Sequence, residues 1–381
     1  MMTENLVVKR KVCFVLPSLV LGGAEKVASI ILTHLDRSKF DVKLVLFNKF
    51  GEHLDCLPPD LEIIDLHKKS RWDFWGLIVR LRKIVKREEP DILISFLEYS
   101  NIISVLSAIL LKKVPKVIIS ERSNHRSYLQ KVKFKWLKTI LIKYTYRKAH
   151  KIIAVSKEIK RNIITDFRIN DDKIEVIHNP IDITKVERLC KEEVNHRFVN
   201  KKDRFLIISV GRLSEEKNFD LLLRSFSVVI KENPAFLIIV GDGELRGELQ
   251  KKARELDLEN FVDFVDFQQN PFRWLSKADL FVLTSNWEGF PNVILEAMAC
   301  GIPVISTDCP TGPREIIENN KNGILVPIQD ARLLANAILA LLINNDMRNR
   351  IKNNASQYVT KFNYTKVILM YEKVFLSGWV K

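Results

Sequence analysis

The sequence predicts an α/β fold built on two parallel sheets, and three observations carry that prediction. Short runs rich in Val, Ile and Leu alternate with longer segments of helical composition. The alternation starts afresh after a polar stretch near the middle of the chain. At 381 residues the chain is too long for one ordinary domain, and two is the natural expectation. Strands that read as near-continuous apolar runs suit a parallel sheet covered on both faces, since both faces must then be apolar.

Taken in order, residues 12–16, 42–47, 92–96, 117–120 and 151–155 are expected as the strands of the first sheet. Residues 25–35, 75–87 and 101–111 have the composition of helices between them. His178-Asn179-Pro180-Ile181-Asp182 closes this set, and the polar stretch 185–204 marks the join. Residues 205–210, 235–240, 262–264, 280–283 and 304–306 make the second set. Two such sets in tandem suggest two Rossmann-like domains. Ligands of open α/β sheets bind beyond the carboxyl ends of the strands, so the site is expected in a central cleft that both sheets face.

Composition narrows the class. An apolar fraction of 47% is ordinary for a globular protein. Cys13, Cys56, Cys190, Cys300 and Cys309 form no C-x-x-C pair, which argues against a disulfide framework or a zinc site and fits a reducing cytosol. Lys9-Arg10-Lys11 ahead of an apolar stretch imitates a signal peptide, but Pro17 and Gly22-Gly23 favour a first strand running into a glycine loop. No stretch reaches the ~18 uncharged apolar residues of a spanning helix.

The net charge of +15 calls for an acidic partner or surface. No zinc-finger spacing or RNA-binding aromatic signature points to nucleic acid, and none is expected as a partner. Basic residues cluster in 131–151, where aromatic and aliphatic residues recur at roughly helical spacing. Such a segment suits an interfacial helix on anionic lipid, and a domain helix with solvated lysines is the other reading. The expectation is a cytoplasmic protein held peripherally at the inner membrane face.

Chemistry concentrates in residues 285–301, Ser-Asn-Trp-Glu-Gly-Phe-Pro-Asn-Val-Ile-Leu-Glu-Ala-Met-Ala-Cys-Gly. Gly289 and Pro291 break regular structure, the run from Asn292 to Cys300 has helical composition, and Gly301 is placed to end it. Glu288 then sits in the loop facing a helix N-terminus, and Glu296 projects from the helix about one turn further in. A helix N-terminus favours an anion through its free N–H groups and partial positive charge. That arrangement suits a sugar nucleotide, with Glu288 on the sugar hydroxyls, the helix end on the diphosphate and Glu296 on the ribose.

This segment, with the Gly-Ile-Pro-Val that ends at Val304, resembles the E-x7-E signature of retaining glycosyltransferases of family 4, which have the GT-B fold. The resemblance covers nearly the whole chain and is strongest over 205–327. It implies an acceptor-binding domain over 1–182, joined by a last helix within 363–381 that packs back on it, and a nucleotide-sugar domain over 183–362. Gly211-Arg212-Leu213 with Lys217 resembles the family motif whose Arg and Lys neutralise the leaving diphosphate, a role their charges suit.

The resemblance also implies donor contacts from Gly23 and the Gly22-Gly23 loop, from the backbone of Gly289, Phe290, Pro291 and Asn292, and from Gly241, Asp242 and Gly243 beside the nucleotide. Val265 and Gln268 are implied as uracil contacts. Many relatives place a sugar-binding His where this chain has Arg122, with His125 three further on. Cys309 has no His placed to activate it and reads as structural.

No Asp-x-Asp triplet follows a strand, so no metal or other cofactor is expected, provided Arg212 and Lys217 carry the charge. The implied activity moves a hexose or N-acetylhexosamine, N-acetylgalactosamine or N-acetylglucosamine favoured, from a UDP-sugar to a lipid-linked oligosaccharide or lipopolysaccharide acceptor. A GDP-mannose or UDP-glucose transferase acting on a soluble or polysaccharide acceptor is the alternative. A non-catalytic partner subunit and an NAD-dependent oxidoreductase are the alternatives of other classes, the last weakened because residues 19–26 lack G-x-G-x-x-G.

Overall fold

A computed structural model describes residues 9–109, 111–126, 135–199 and 204–378. The chain divides into two compact units, Met1–Pro180 with Tyr364–Lys381, and Ile181–Asn363.

The first unit holds β1 (Arg10–Leu16), β2 (Phe40–Leu46), β3 (Glu62–Asp65), β4 (Ile92–Phe96), β5 (Lys116–Glu121), β6 (Lys151–Ala154) and β7 (Ile174–Val176). They pair in the order β3-β2-β1-β4-β5-β6-β7, every pair parallel. The second unit holds β8 (Phe205–Val210), β9 (Ala235–Val240), β10 (Val262–Val265), β11 (Leu280–Leu283), β12 (Val304–Thr307) and β13 (Ile324–Val326). Their order is β10-β9-β8-β11-β12-β13, again all parallel. The α/β class with two Rossmann-like parallel sheets therefore stands.

Strands β3, β7 and β13 are additions to the expected set. All are outermost in their sheets and only four, three and three residues long. An edge strand has one neighbour and less surface to bury, so its apolar signal is weak. The helix expected at 101–111 lies at Glu98–Ala108, because the chain enters it directly from β4 through Leu97 at φ 73°.

Central strands are apolar on both sides because helices cover both faces. In the first unit, the helices Phe74–Glu88, Glu98–Ala108 and Lys135–Lys148 pack side by side. Gly23–His34 packs with Tyr364–Leu376 over Phe14 and Leu16. That last helix is firmly seated. Phe375 meets Phe14 and Phe40 edge-on, at 6.3 and 5.7 Å between ring centroids. Burying such a ring contributes about 1.5–3 kcal/mol. Lys39 Nζ lies 3.0 Å from the Glu372 carboxylate, and Lys116 Nζ donates to the Val374 carbonyl at 2.8 Å. In the second unit, Phe219–Glu232 lies between Arg246–Glu255 and Ala331–Ile343 over the apolar faces of β8, β9 and β11. Among the described residues, no helix is long and apolar enough to cross a membrane.

Candidate functional site

The strand order of the second unit reverses between β8 and β11, and loops beyond such a reversal are the natural ligand position. The loop after β8 carries Arg212, Glu216 and Lys217, and the loop after β11 carries Ser285 and Glu288. Backbone and hydroxyl bonds stitch the two together. Asn286 N donates to the Glu216 carbonyl at 2.8 Å. Thr284 Oγ1 donates to the Lys217 carbonyl at 2.8 Å.

Across this seam Lys217 Nζ reaches Glu288 Oε1 at 2.5 Å, and Ser285 Oγ donates to the same oxygen at 2.7 Å. Glu288 is 6% exposed. Glu216 flanks the pair, its Oε1 3.6 Å from Lys217 Nζ. Burial opposes the charge on Lys217, but the carboxylates of Glu288 and Glu216 outweigh it and hold the ammonium above its ordinary range. Burial raises the Glu216 carboxyl against the pull of Lys217. Arg212 is exposed, and among the described residues no salt bridge occupies its guanidinium. The loop thus presents two cations, one held against carboxylates and one open to solvent.

Glycine fixes the floor. Gly241 has φ 145°, and a Cβ there would stand 2.0 Å from the Gly211 carbonyl oxygen. A Cβ on Gly243 would stand 2.5 Å from the Leu213 carbonyl oxygen. The Gly241-Asp242-Gly243 turn therefore lies flush against Gly211-Arg212-Leu213, with Leu213 N donating to the Asp242 carbonyl at 3.0 Å. The loop after β12 closes the other side. Thr311 Oγ1 donates to the Glu288 carbonyl. Gly312, at φ 89°, brings its backbone against Phe290 and Pro291, where a Cβ would meet Pro291 Cδ at 2.6 Å.

These contacts aim the start of the helix Asn292–Ala299, which has no side-chain cap. Its dipole favours an anion at this end, although the Ile294 N–H already donates to the Pro291 carbonyl at 3.1 Å. Glu296 sits on that helix, buried at 7% exposure, and Gly301 ends it at φ 72°. Gly289 and Asn292 are half-buried, while Phe290 is buried, its ring tilted against Phe362 at 5.8 Å. Beside the site, Cys309 is buried and its thiol is pushed up by burial and by the Glu288 charge.

Of the implied uracil contacts, the Val265 carbonyl accepts Gly241 N at 2.9 Å. Gln268 Oε1 accepts from Arg273 Nη2 at 2.8 Å and Trp274 Nε1 at 3.2 Å. The residues that sequence reasoning missed are Ser285, Glu216 and Thr311, which hold Glu288 and Lys217 in place. Their signal was positional: each lies in a loop after a strand of the second sheet.

In the first unit, Gly23 opens the helix Gly23–His34. Arg122 and His125 lie in a buried internal network. Arg122 donates to Asn179 Oδ1 and, at 2.6 Å, to Tyr371 Oη, with its guanidinium 4.9 Å above the Phe96 ring. His125 stands between Glu121 at 3.3 Å and Glu98 at 3.4 Å, against the Tyr146 and Phe167 rings. Burial lowers its pKa, but the Glu121 and Glu98 carboxylates outweigh that and raise it overall. Lys138 Nζ lies 2.6 Å from Glu98.

The basic segment 131–151 lies partly outside the described residues. Its helix Lys135–Lys148 exposes Trp136, Leu137, Ile140 and Tyr144 among lysines. A second surface of this kind was not read from the sequence. Lys69, Arg71, Trp72 and Trp75 are exposed at the start of the helix Phe74–Glu88, Trp72 at 78% and Trp75 at 73%.

Comparison with known proteins gives consistent likenesses. Residues 21–185 match the family described as glycosyltransferase family 4, and residues 191–358 match the family described as glycosyl transferases group 1. An uncharacterized glycosyltransferase of Methanocaldococcus jannaschii is 32% identical over 362 residues, covering 84% of this chain and 88% of the relative. An N-acetylgalactosamine-N,N'-diacetylbacillosaminyl-diphospho-undecaprenol 4-alpha-N-acetylgalactosaminyltransferase of Campylobacter jejuni is 29% identical, covering 92% of this chain and 95% of the relative. The crystal structure of Anabaena HepE with UDP-glucose superposes with TM-score 0.81 at 20% identity, over 96% of this chain and 99% of that one. WaaG, a glycosyltransferase involved in lipopolysaccharide biosynthesis, superposes with TM-score 0.75 at 16% identity, over 96% of this chain and 100% of that one. The two structures show a shared GT-B architecture.

Proposed function

Because the chain belongs to the glycosyltransferases, with a family 4 domain ahead of a group 1 domain, we propose that it is a retaining, metal-independent hexosyltransferase acting on a lipid-linked or lipopolysaccharide glycan. The observation that carries this reading is Lys217 held against Glu288 beside the uncapped start of the helix Asn292–Ala299. A UDP-sugar would lay its diphosphate on that helix start. Lys217 would turn from Glu288 to the phosphate, joined by Arg212, and Glu288 would be released to the sugar hydroxyls. Glu296 would hold the ribose. The Gly241-Asp242-Gly243 turn and the Val265–Gln268 segment would border the base.

Attack from the front face needs no enzymic nucleophile. The leaving diphosphate would take the acceptor's proton while the two cations and the helix dipole stabilise its charge. Arg122 and His125 serve this reading by holding the first unit's loop after β5, rather than by touching sugar.

The Campylobacter relative supports an N-acetylhexosamine donor and an undecaprenyl-diphosphate-linked acceptor. The exposed aromatic and basic residues of Lys135–Lys148 and of the Trp72–Trp75 surface suit seating on an anionic bilayer, with Trp and Tyr at headgroup depth. The oxidoreductase alternative falls with the family membership.

The test is a thermal-shift panel with UDP, GDP and NAD, repeated in EDTA. A ligand at ~100 times its Kd adds about 2.7 kcal/mol to the folded state. UDP is expected to raise the melting temperature equally with and without EDTA. A shift with GDP alone overturns the UDP-sugar assignment, and a UDP shift lost in EDTA overturns metal independence.

A further inference from the structure

Cys190 follows the helix Ile183–Leu189, and Cys300 follows the helix Asn292–Ala299. Their Sγ atoms lie 3.2 Å apart, and both residues are half-buried. A disulfide needs the sulfurs at about 2.05 Å, little more than an ångström closer. The other cysteines differ. Cys13 and Cys309 are buried, and burial pushes the Cys13 thiol up to about 12. Cys56 is exposed, and among the described residues no thiol lies beside it.

We propose that Cys190 and Cys300 are an oxidation site, converted by a hydroperoxide into an intramolecular disulfide. Cys190, as thiolate, attacks the outer oxygen of the peroxide. The O–O bond breaks, the departing alkoxide or hydroxide takes up a proton, and Cys190 becomes a sulfenic acid. Cys300 Sγ then attacks the Cys190 sulfur. The S–S bond forms, the S–O bond breaks, and the hydroxide leaves as water with the Cys300 proton. Two thiols lose two electrons, and the peroxide is reduced to an alcohol and water, or to two waters from hydrogen peroxide.

The order of attack follows from the surroundings. The Cys300 thiol beside it holds the Cys190 thiol below its ordinary range, which raises its thiolate fraction. The site is separate from Glu288 and Lys217, and the proposal stands whichever sugar the enzyme transfers. Its position gives it reach, because the bond would pin the far end of the helix whose first turn faces the donor.

The experiment exposes the full chain to hydrogen peroxide, alkylates the remaining thiols, digests without reductant and maps peptides by mass spectrometry. The expected product is one cross-linked peptide joining Cys190 to Cys300, abolished by dithiothreitol. Cys13 and Cys309 should be alkylated only after unfolding. Cys190→Ser and Cys300→Ser should each melt with the wild type and give no cross-link. Two results overturn the proposal. One is full alkylation of both cysteines after peroxide. The other is sulfinic acid on Cys190 without a bond to Cys300.

Discussion

Each unit gathers carboxylates and a lysine beyond the carboxyl edge of its sheet, and the two gatherings differ in closure. In the first unit, Glu121 is fully buried and accepts the N–H groups of Arg122 and Ser123, both at 3.0 Å, Ser123 Oγ at 2.8 Å and Tyr146 Oη. His125, 2% exposed, sits between Glu121 and Glu98, and Lys138 holds Glu98 from the far side. The charges here face one another, although among the described residues neither ring nitrogen of His125 makes a hydrogen bond, and Glu121 ties the end of β5 to Ser123 and Tyr146. In the second unit, Lys217 and Glu288 lie at an uncapped helix start with Arg212 exposed beside them. A closed charge cluster is a structural tie, and an open one is a place for a ligand. Residue type alone does not distinguish the two, and neither does the burial of the ion pairs, since Lys138 and Glu98 are 23% and 14% exposed against 18% and 7% for Lys217 and Glu288. The exposed Arg212 guanidinium beside the second pair does.

Four substitutions break or sharpen that contrast, from the largest effect downward. Removing the centre of the closed cluster with Glu121→Ala strands several buried donors and should cost about 3–5 kcal/mol, read by urea unfolding. A loss under about 1 kcal/mol, the scale of a surface pair, would mean the cluster is no tie. Glu288→Gln keeps an oxygen for Ser285 but takes the charge from a buried pair, so a folded enzyme with a lowered melting temperature is expected, while turnover falls about 10²–10³-fold. A folded Glu288→Gln enzyme with wild-type turnover would overturn the role given to that carboxylate.

Gly241→Ala tests the floor beneath the open site. The backbone lies at a positive φ and the new Cβ meets the Gly211 carbonyl, so destabilisation of about 1–3 kcal/mol is expected. A neutral result would show that the two loops can part.

The smallest effect belongs to Asp36, half-buried at the turn before β2. Its carboxyl is held at about 2 by Ser38 and Lys39, against an ordinary 3.8. A depressed carboxylate pKa stabilises the fold fully above the ordinary value, and that stabilisation disappears as pH falls through about 2. Asp36→Asn should therefore lose a little stability at neutral pH and show a flatter decline on acidification. An unchanged acid profile would remove Asp36 from the account.

Central strands were legible because burial on both faces writes an uninterrupted apolar run, as at residues 235–240. The edge strands β3, β7 and β13 were not, being short and less constrained. Helix starts blurred where the cap carries no signal, as at Leu97, which adopts a positive φ despite its branched side chain. In the candidate site, Glu288, Glu296 and the bracketing Gly and Pro stand in one short segment and could be read together. The pairing of Lys217 with Glu288 could not, because 71 positions separate them and only the adjacency of β8 and β11 joins them. Ser285 and Thr311 escaped for the same reason: hydroxyls are common, and what marks these two is the atom they touch.

The helix Tyr364–Leu376 belongs to the unit that begins with β1, whereas Ile181–Asn363 is continuous. During synthesis the amino-terminal unit therefore cannot complete its cover before the whole of the second unit has been made. The second unit can close as soon as Asn363 clears the ribosome. The first must wait, its Phe14 and Phe40 surface uncovered, until Phe375 arrives.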